Sequence, residues 1–254
     1  IWPLVYFLYP YYLQYSKSSY GKMKIYVGTS GWMYAWNEGG NFEWFVENSG
    51  LNSVELNASF YRFPFPNQIK AWAEKAKDIK FAVKVHRKIT HILKLNKSAI
   101  DVWWDFQALF SPLEKNIDFY LFQMPPSFSP EYFERIKEFF SNTECRKKIA
   151  IEFRHIGWFE EKAVRLIENT GPVFVSVDSP QVRTFIVKTN GVVYLRFHGR
   201  NSWYNYDYSK KELKDICSKI HSLKPDCVYA YFNNNHNMLS NAREFFRMLT
   251  KGER

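Results

Sequence analysis

The sequence lacks most of the motifs from which a function can be read directly. Its 254 residues include only three cysteines, Cys145, Cys217 and Cys227, which form no CxxC pair. Such a sparse, odd set is typical of a reducing cytoplasm and argues against a cysteine-based zinc site or a disulfide framework. Walker-type, GxGxxG and HExxH sequences are also absent, so neither a nucleotide-cofactor loop nor a common zinc motif is predicted.

Neither a membrane span nor a signal peptide is predicted at residues 1–22. Residues 1–22 are aromatic and apolar and contain Pro3 and Pro10, but they are too short for a span and lack a basic leading segment. Met23 then begins a run that continues directly into a first strand. We therefore predict an N-terminal extension at 1–22, either a start-site artefact or a poorly ordered tail. A single domain at 23–254, with no membrane partner, is expected to follow.

Positive charge is abundant. The chain carries 35 lysines and arginines against 25 acidic residues, for a formal net charge of +10 and a pI of about 9.3. This balance favours a polyanionic partner such as nucleic acid, because cations that neutralise phosphates release counterions. A lysine-rich solvated surface explains the same composition without any partner.

Eight short apolar runs have the length and alternation of β-strands. We predict strands at Ile25–Ser30, Ser53–Asn57, Lys80–His86, Asp118–Gln123, Ile149–Arg154, Pro172–Asp178, Val192–His198 and Cys227–Asn233. Helix-like stretches lie between them, at Phe42–Asn48, Asn67–Lys77, Ser98–Leu113, Pro130–Asn142, Glu160–Asn169, Ser209–Leu223 and Leu239–Leu249. This alternation predicts parallel units of the α/β class, and eight of them predict a single TIM-type (β/α)8 barrel.

One connection departs from the alternation. Asn190-Gly191 joins the run Thr184–Thr189 to the seventh strand. Asn-Gly between two alternating runs is a strong hairpin signal. We therefore predict that an antiparallel hairpin strand replaces the sixth helix.

Polar side chains collect near the C-terminal ends of the strands, on a single alternation parity. Because successive side chains point to opposite faces, they are expected to share the lumen near the mouth of the barrel, where active sites of this fold lie. The predicted set is Gly28, Ser30, Glu55, Asn57, Lys84, His86, Gln123, Glu152, Arg154, Asp178, Arg196, His198 and Asn233. Ion pairs that only fill the lumen are the alternative, but they return little net stability, so we favour a functional site.

Several motifs together resemble the YecE-like family, catalogued as domain of unknown function 72. The resemblance runs in order from about Ile25 to Leu249. It is carried by Gly28-Thr29-Ser30-Gly31-Trp32, Val54-Glu55-Leu56-Asn57, Phe81-Ala82-Val83-Lys84, Thr90-His91, Phe122-Gln123-Met124-Pro125-Pro126, Ile151-Glu152-Phe153-Arg154-His155, Arg196-Phe197-His198-Gly199 and Tyr231-Phe232-Asn233-Asn234. The resemblance implies a TIM-type barrel and no particular reaction.

Three residues are the predicted catalytic groups: Glu152, His198 and Glu55. Glu152 shares its face with Arg154, and a neighbouring guanidinium keeps a carboxylate ionised, so Glu152 suits a base or a ligand. His198 ends a strand and suits proton donation, because histidine titrates nearest neutrality. His91 has the same chemistry, but we favour a structural role for it.

The predicted substrate-binding residues combine cations, amides and aromatic rings. They are Arg154, Arg196, Lys84, Asn57, Gln123, Asn233, Trp32, Tyr61 and Tyr206. The three cations suit an anion clamp. The rings suit stacking on bases or sugars, or a lid that packs on itself. No cofactor is predicted with certainty, but a divalent metal is an open alternative, with Glu55, Glu152, Asp178, His198 and His236 as candidate ligands.

We therefore expect a cytoplasmic enzyme that acts on a phosphate-bearing substrate. A phosphoesterase or nuclease-like hydrolase, acting on a nucleotide or a nucleic acid, is the favoured interpretation. An isomerase or lyase on a small sugar phosphate, with Glu152 abstracting a proton, is the second. A non-catalytic binding module is the third. The sequence sets no oligomeric state.

Overall fold

The computed structural model describes residues 22–143 and 149–251. Within them, eight parallel strands form a closed barrel in chain order, and the last strand pairs with the first. The strands are β1 Lys24–Thr29, β2 Ser53–Leu56, β3 Lys80–Lys84, β4 Ile117–Gln123, β5 Ile149–Glu152, β6 Val173–Asp178, β7 Val192–Phe197 and β8 Cys227–Phe232. The predicted TIM-type barrel is confirmed. The extension predicted at 1–22 lies outside the described residues except for Lys22, and so does Cys145.

Helices cover the outside of the barrel. They are α1 Phe42–Asn48, α2 Pro66–Lys75, α3 Ser98–Leu109, α4 Phe133–Ser141, α5 Glu161–Asn169, α6 Lys210–Leu223 and α7 Met238–Lys251. The helix predicted at Ser98–Leu113 ends earlier because Pro112 cannot continue it, and a 3-10 turn at Ser111–Asn116 follows. No helix of the described residues is long and apolar enough to span a bilayer.

The connection between β6 and β7 contains no helix. Two isolated antiparallel bridges hold this segment, Val177 with Phe185 and Thr189 with Val192. Asn190 and Gly191 turn the chain with φ values of 50° and 76°, a left-handed conformation that Asn and Gly adopt at low cost. The Asn-Gly turn therefore forms, while the pairing with β6 is one bridge and not a continuous strand.

Apolar side chains fill the lumen below its mouth. This inner cluster consists of Ala82, Phe119, Leu121, Ala150, Val173, Val175, Val177, Tyr194, Tyr229 and Tyr231. A larger apolar cluster lies between the barrel and its helices. Because the inner cluster occupies the lower lumen, the inward polar side chains of the strands are gathered at the C-terminal mouth.

The lumen position predicted for Asp178 is wrong. The valines of β6 pack in the inner cluster, so Asp178, which follows Val177, has the opposite parity. Its carboxylate accepts a hydrogen bond from the backbone N–H of Thr184 at 2.7 Å and pairs with Arg200 at 2.8 Å. Both faces of β6 are largely apolar, and for this reason hydrophobicity alone does not identify the inner one.

Gly28 marks a close approach between β1 and β2. A Cβ atom at this position would lie 2.3 Å from the backbone oxygen of Ser53. Since that oxygen belongs to the backbone, the two strands must separate to admit a side chain. We predict that Gly28→Ala lowers the free energy of unfolding by about 1–3 kcal/mol, measured by urea titration of the circular dichroism signal. Ser127→Ala, at an exposed loop position, is the control; equal midpoints for the two variants would contradict the close approach.

Candidate active site

A buried arginine joins the two carboxylates at the mouth of the barrel. Arg196, on β7, donates from Nη1 to Oε2 of Glu152 on β5 and from Nη2 to Oε1 of Glu55 on β2. All three side chains are at most 1% exposed. Burial alone would lower the pKa of Arg196, but the two glutamates raise it. Arg196 therefore stays charged, and its attraction to the two glutamates offsets part of the cost of removing these groups from water.

Glu152 has further partners on the same side of the barrel. Its Oε1 accepts from Arg154 Nη2 at 2.8 Å and lies 3.1 Å from His198 Nε2. Burial alone would raise the pKa of Glu152, but Arg154 and Arg196 lower it well below the usual value. Glu152 is therefore a fixed anion with both oxygens engaged. This arrangement suits holding other groups in place better than abstracting a proton.

Glu55 is equally well satisfied. Its carboxylate accepts hydrogen bonds from Ser30 Oγ at 2.9 Å, Asn57 Nδ2 at 3.1 Å and Tyr194 Oη at 3.2 Å. Burial and the charge of Glu55 raise the pKa of Tyr194 well above its usual value, so the phenol keeps its proton and remains a donor. Both glutamates are therefore held by several donors, although Oε2 of each accepts only one of these hydrogen bonds.

His198 is poorly suited to proton donation near neutral pH because it is neutral there. The side chain is fully buried, and burial together with Arg154 lowers its pKa to about 3, against the opposing effect of Glu152. The tautomer protonated on Nε2 donates to Glu152 and leaves Nδ1, which has no hydrogen-bond partner among the described residues. We therefore assign His198 an orienting role in place of the proton donation expected from the sequence.

Lys84 is the cation in this region that no carboxylate holds. It is 9% exposed, its Nζ lies 4.2 Å from the ring centroid of Phe60, and within the described chain no ion pair or hydrogen bond reaches that nitrogen. Burial and Arg196 lower the pKa of Lys84 to about 7, although Glu152 and Glu55 oppose the shift. About half of the amine is neutral at pH 7, against fewer than about one in a thousand for an ordinary lysine.

Lys84 forms part of the wall of an open cleft of about 530 Å³. The other lining residues are aromatic rings and amides: Tyr34, Asn57, Tyr61, Trp203, Tyr204, Asn205, Asn233 and Asn235. Tyr204 has a φ of 62°, which is costly for a bulky residue, and such strain concentrates at functional sites. Asn205 and Asn235 were not predicted. The only sequence signal for Asn235 is the run of asparagines that follows β8.

Four of the predicted substrate-binding residues line this cleft: Lys84, Asn57, Tyr61 and Asn233. A fifth, Arg154, lies next to the cleft. Its guanidinium carbon is 4.6 Å from the ring centroid of Trp203, and its side chain is 10% exposed. Arg154 therefore connects the buried ion pairs with the wall of the cleft.

The remaining predicted residues lie elsewhere. Arg196 is buried between the glutamates and is not available to clamp an anion. Trp32 is 6% exposed and packs on Phe42, in the wall of a smaller pocket of about 190 Å³. Tyr206 donates to Glu212 at 2.7 Å, at the start of α6. Gln123 ends β4 in register with Glu152 and is half-buried.

The five candidate metal ligands do not form one site. Asp178 is paired with Arg200 on the other face of β6, His236 is exposed on a 3-10 turn, and both glutamates are engaged by the buried arginine. Across residues 22–143 and 149–251, no group of three or more His, Cys, Asp or Glu side chains is arranged to hold a metal ion.

Comparison with known proteins identifies the family. The model of a family described as "Protein of unknown function DUF72" matches residues 26–254. The chain belongs to the DUF72 family. This membership confirms the resemblance found in the sequence. The matched residues include all the strands that carry the buried ion pairs and Lys84.

Relatives of known structure share the DUF72 barrel. A DUF72 family protein from Thermotoga maritima is 28% identical, with a TM-score of 0.76 over 89% of this chain and 99% of that one. Another, from Enterococcus faecalis, is 20% identical, with a TM-score of 0.74 over 89% and 95%, and supports the fold alone. UPF0759 protein YecE of Escherichia coli K12 is 27% identical over 139 residues, 53% of this chain and 50% of YecE. The match therefore spans about half the length of this curated relative.

The burial of neutral His198 predicts a pH dependence of stability. Its pKa falls from 6.5 to about 3 on folding, so its contribution is complete above pH 6.5 and is lost as the pH falls towards 3. We expect the free energy of unfolding to fall by about 1–3 kcal/mol between pH 6.5 and 4.5, as measured by urea titration. We expect His198→Gln to reduce this pH dependence without abolishing it. The pKa of His91 is also lowered, to about 4, so protonation of His91 destabilises the fold in the same pH range.

The control for that measurement is His236→Gln, at an exposed position, which keeps the wild-type slope. If His198→Gln also kept the full slope, His198 would not be the buried neutral base described above.

Proposed function

We propose that the protein is an enzyme that uses the amine of Lys84 to act on a small polar carbonyl compound. One observation carries the proposal: a nearly buried lysine, held by no carboxylate, forms part of the wall of a cleft lined by polar groups. A lysine that serves only structure is normally paired or exposed. A lysine desolvated next to another cation is a recurring way of making an amine nucleophilic at neutral pH.

The reaction proposed for Lys84 is imine formation. The neutral amine attacks the carbonyl carbon, and a C–N bond forms. The carbonyl oxygen then leaves as water after taking up two protons. The protonated imine withdraws electrons from the neighbouring carbon, so that a C–H or C–C bond next to it breaks more easily. Loss of the proton leads to isomerisation, and loss of the carbon fragment leads to cleavage. Water then releases the product and restores the amine.

The lining of the cleft supports a polyhydroxylated substrate. Asn57, Asn205, Asn233 and Asn235 supply amide donors and acceptors for hydroxyl groups, and the ring of Trp203 supplies a flat apolar face. A volume of about 530 Å³ lies within the range of small-molecule sites. These features favour the isomerase or lyase interpretation of the sequence, with Lys84 replacing Glu152 as the reacting group.

Arg196 is a positioning residue in this proposal. It holds Glu55 and Glu152, the two nearby carboxylates that would otherwise attract the ammonium form of Lys84. Its own charge also lowers the pKa of Lys84. Since Arg196 is buried and its two terminal nitrogens are held by the glutamates, the phosphate clamp expected from the sequence loses one of its two arginines. A phosphoester hydrolase is therefore the weaker interpretation.

Reductive trapping tests the role of Lys84. We expect incubation with short aldoses and ketoses and sodium cyanoborohydride to add one reduced adduct to the peptide that contains Lys84, detected by mass spectrometry. Because only the neutral amine reacts, labelling of this peptide should reach half its maximum near pH 7. Exposed lysines should require a pH several units higher.

Two variants make the trapping experiment specific. Lys84→Met should lose the adduct while keeping the wild-type unfolding midpoint. Lys80→Met changes the lysine at the other end of the same strand, beside Asp118, and should label as the wild type does. Adducts spread evenly over surface lysines, with none enriched at Lys84, would contradict the proposal and favour a non-catalytic binding module.

A further inference from the structure

Two stretches of the chain near β2 and β3 contain lysines and arginines but no acidic residue. Residues 56–73 and 79–100 hold eight lysines and arginines and no aspartate or glutamate. They include the loops that follow β2 and β3, at the mouth of the barrel. These two stretches therefore contribute eight positive charges and no negative charge, and the loops they include carry a local excess of positive charge.

Several cations of these loops are free of ion pairs. Lys80 and Lys97 have carboxylate partners, Asp118 and Glu138. By contrast, Arg62, Arg87 and Lys88 are exposed and have no acidic partner within 4 Å in the described part of the chain. An exposed cation that no neighbouring carboxylate neutralises is available to a phosphate.

Exposed aromatic rings lie among these cations. Tyr61 is 72% exposed and Phe65 is 65% exposed, and the guanidinium carbon of Arg62 lies 6.0 Å from the ring centroid of Phe65. Large aromatic side chains are usually buried when they serve the core. The loop that carries them is anchored, because Phe63, between them, packs edge-on against Phe106 with centroids 5.4 Å apart.

The two loops form one continuous surface. The His86 imidazole is hydrogen-bonded to the backbone of Tyr61 and accepts from the backbone N–H of Lys88 at 3.2 Å. Its ring also contacts Phe63, with centroids 4.8 Å apart. We call the surface made by Tyr61, Arg62, Phe65, Arg87 and Lys88 the basic rim. Tyr61 belongs both to this rim and to the wall of the cleft.

We propose that the basic rim binds single-stranded nucleic acid. Alternating phosphates and flat bases match its alternating cations and rings, and base–aromatic stacking with backbone neutralisation is the usual mode of single-strand binding. A duplex offers phosphates but keeps its base faces stacked, so it leaves Tyr61 and Phe65 without partners. The binding is independent of the chemistry proposed for Lys84 and needs no turnover.

Fluorescence anisotropy with labelled 12-nucleotide RNA and DNA of mixed sequence tests this inference on the full chain. The triple variant Arg62→Ala, Arg87→Ala, Lys88→Ala should bind about 100-fold more weakly at 0.1 M salt, and its log K against log salt slope should be smaller by roughly 2, as expected for three lost phosphate contacts. Tyr61→Ala with Phe65→Ala should weaken binding by about 10-fold or more with an unchanged slope.

The matched control removes three exposed lysines of α6, by Lys211→Ala, Lys214→Ala and Lys219→Ala, and should bind as the wild type does. Lys84→Met should stay within about twofold of wild type, which separates this inference from the proposed reaction. Equal affinity for duplex DNA, no effect of the aromatic pair, or binding to anionic phosphatidylserine vesicles but not to oligonucleotides would each overturn the proposal.

Discussion

The arrangement of this barrel mouth depends on one buried arginine between two glutamates. Burying an ionised group costs several kcal/mol, and Arg196 is the cation that the two buried glutamates share, while Glu152 also pairs with Arg154. The three residues come from β7, β2 and β5, so their pairing also fixes these strands relative to one another across the lumen. Removing the arginine would leave Glu55 buried with no cation partner among the described residues, and Glu152 with Arg154 as its cation partner.

The environment of Lys84 follows from the same pairing. Both glutamates are already engaged, so the lysine amine lies near them without an ion pair. Burial and the charge of Arg196 then lower its pKa to about 7. Lys84 is thus the group of the buried cluster that changes protonation near neutral pH. It lies in the wall of the cleft. Perturbed titratable groups of this kind concentrate at functional sites.

The sequence was sufficient to predict the barrel. It also predicted that Glu55, Glu152, Arg154, Arg196 and His198 converge, because the alternation of side chains along each strand determines which of them point into the lumen. It failed at Asp178, because both faces of β6 are largely apolar and the alternation of side chains does not show which face points into the lumen. It also did not show that His198 is buried and neutral or that Arg196 is held between two glutamates. Pairing and burial decide whether a histidine is charged or an arginine is free, and neither is visible in a list of residues.

Charge is distributed in two distinct ways in this protein. The buried cluster is close to neutral because each cation but Lys84 has a carboxylate, whereas the loops after β2 and β3 have cations and no carboxylate over two stretches. A uniformly basic surface would not require this separation. Since Tyr61 belongs to both the basic rim and the cleft, the unpaired cations of the rim border the entrance to Lys84. The excess charge therefore raises the positive potential on this side of the barrel mouth.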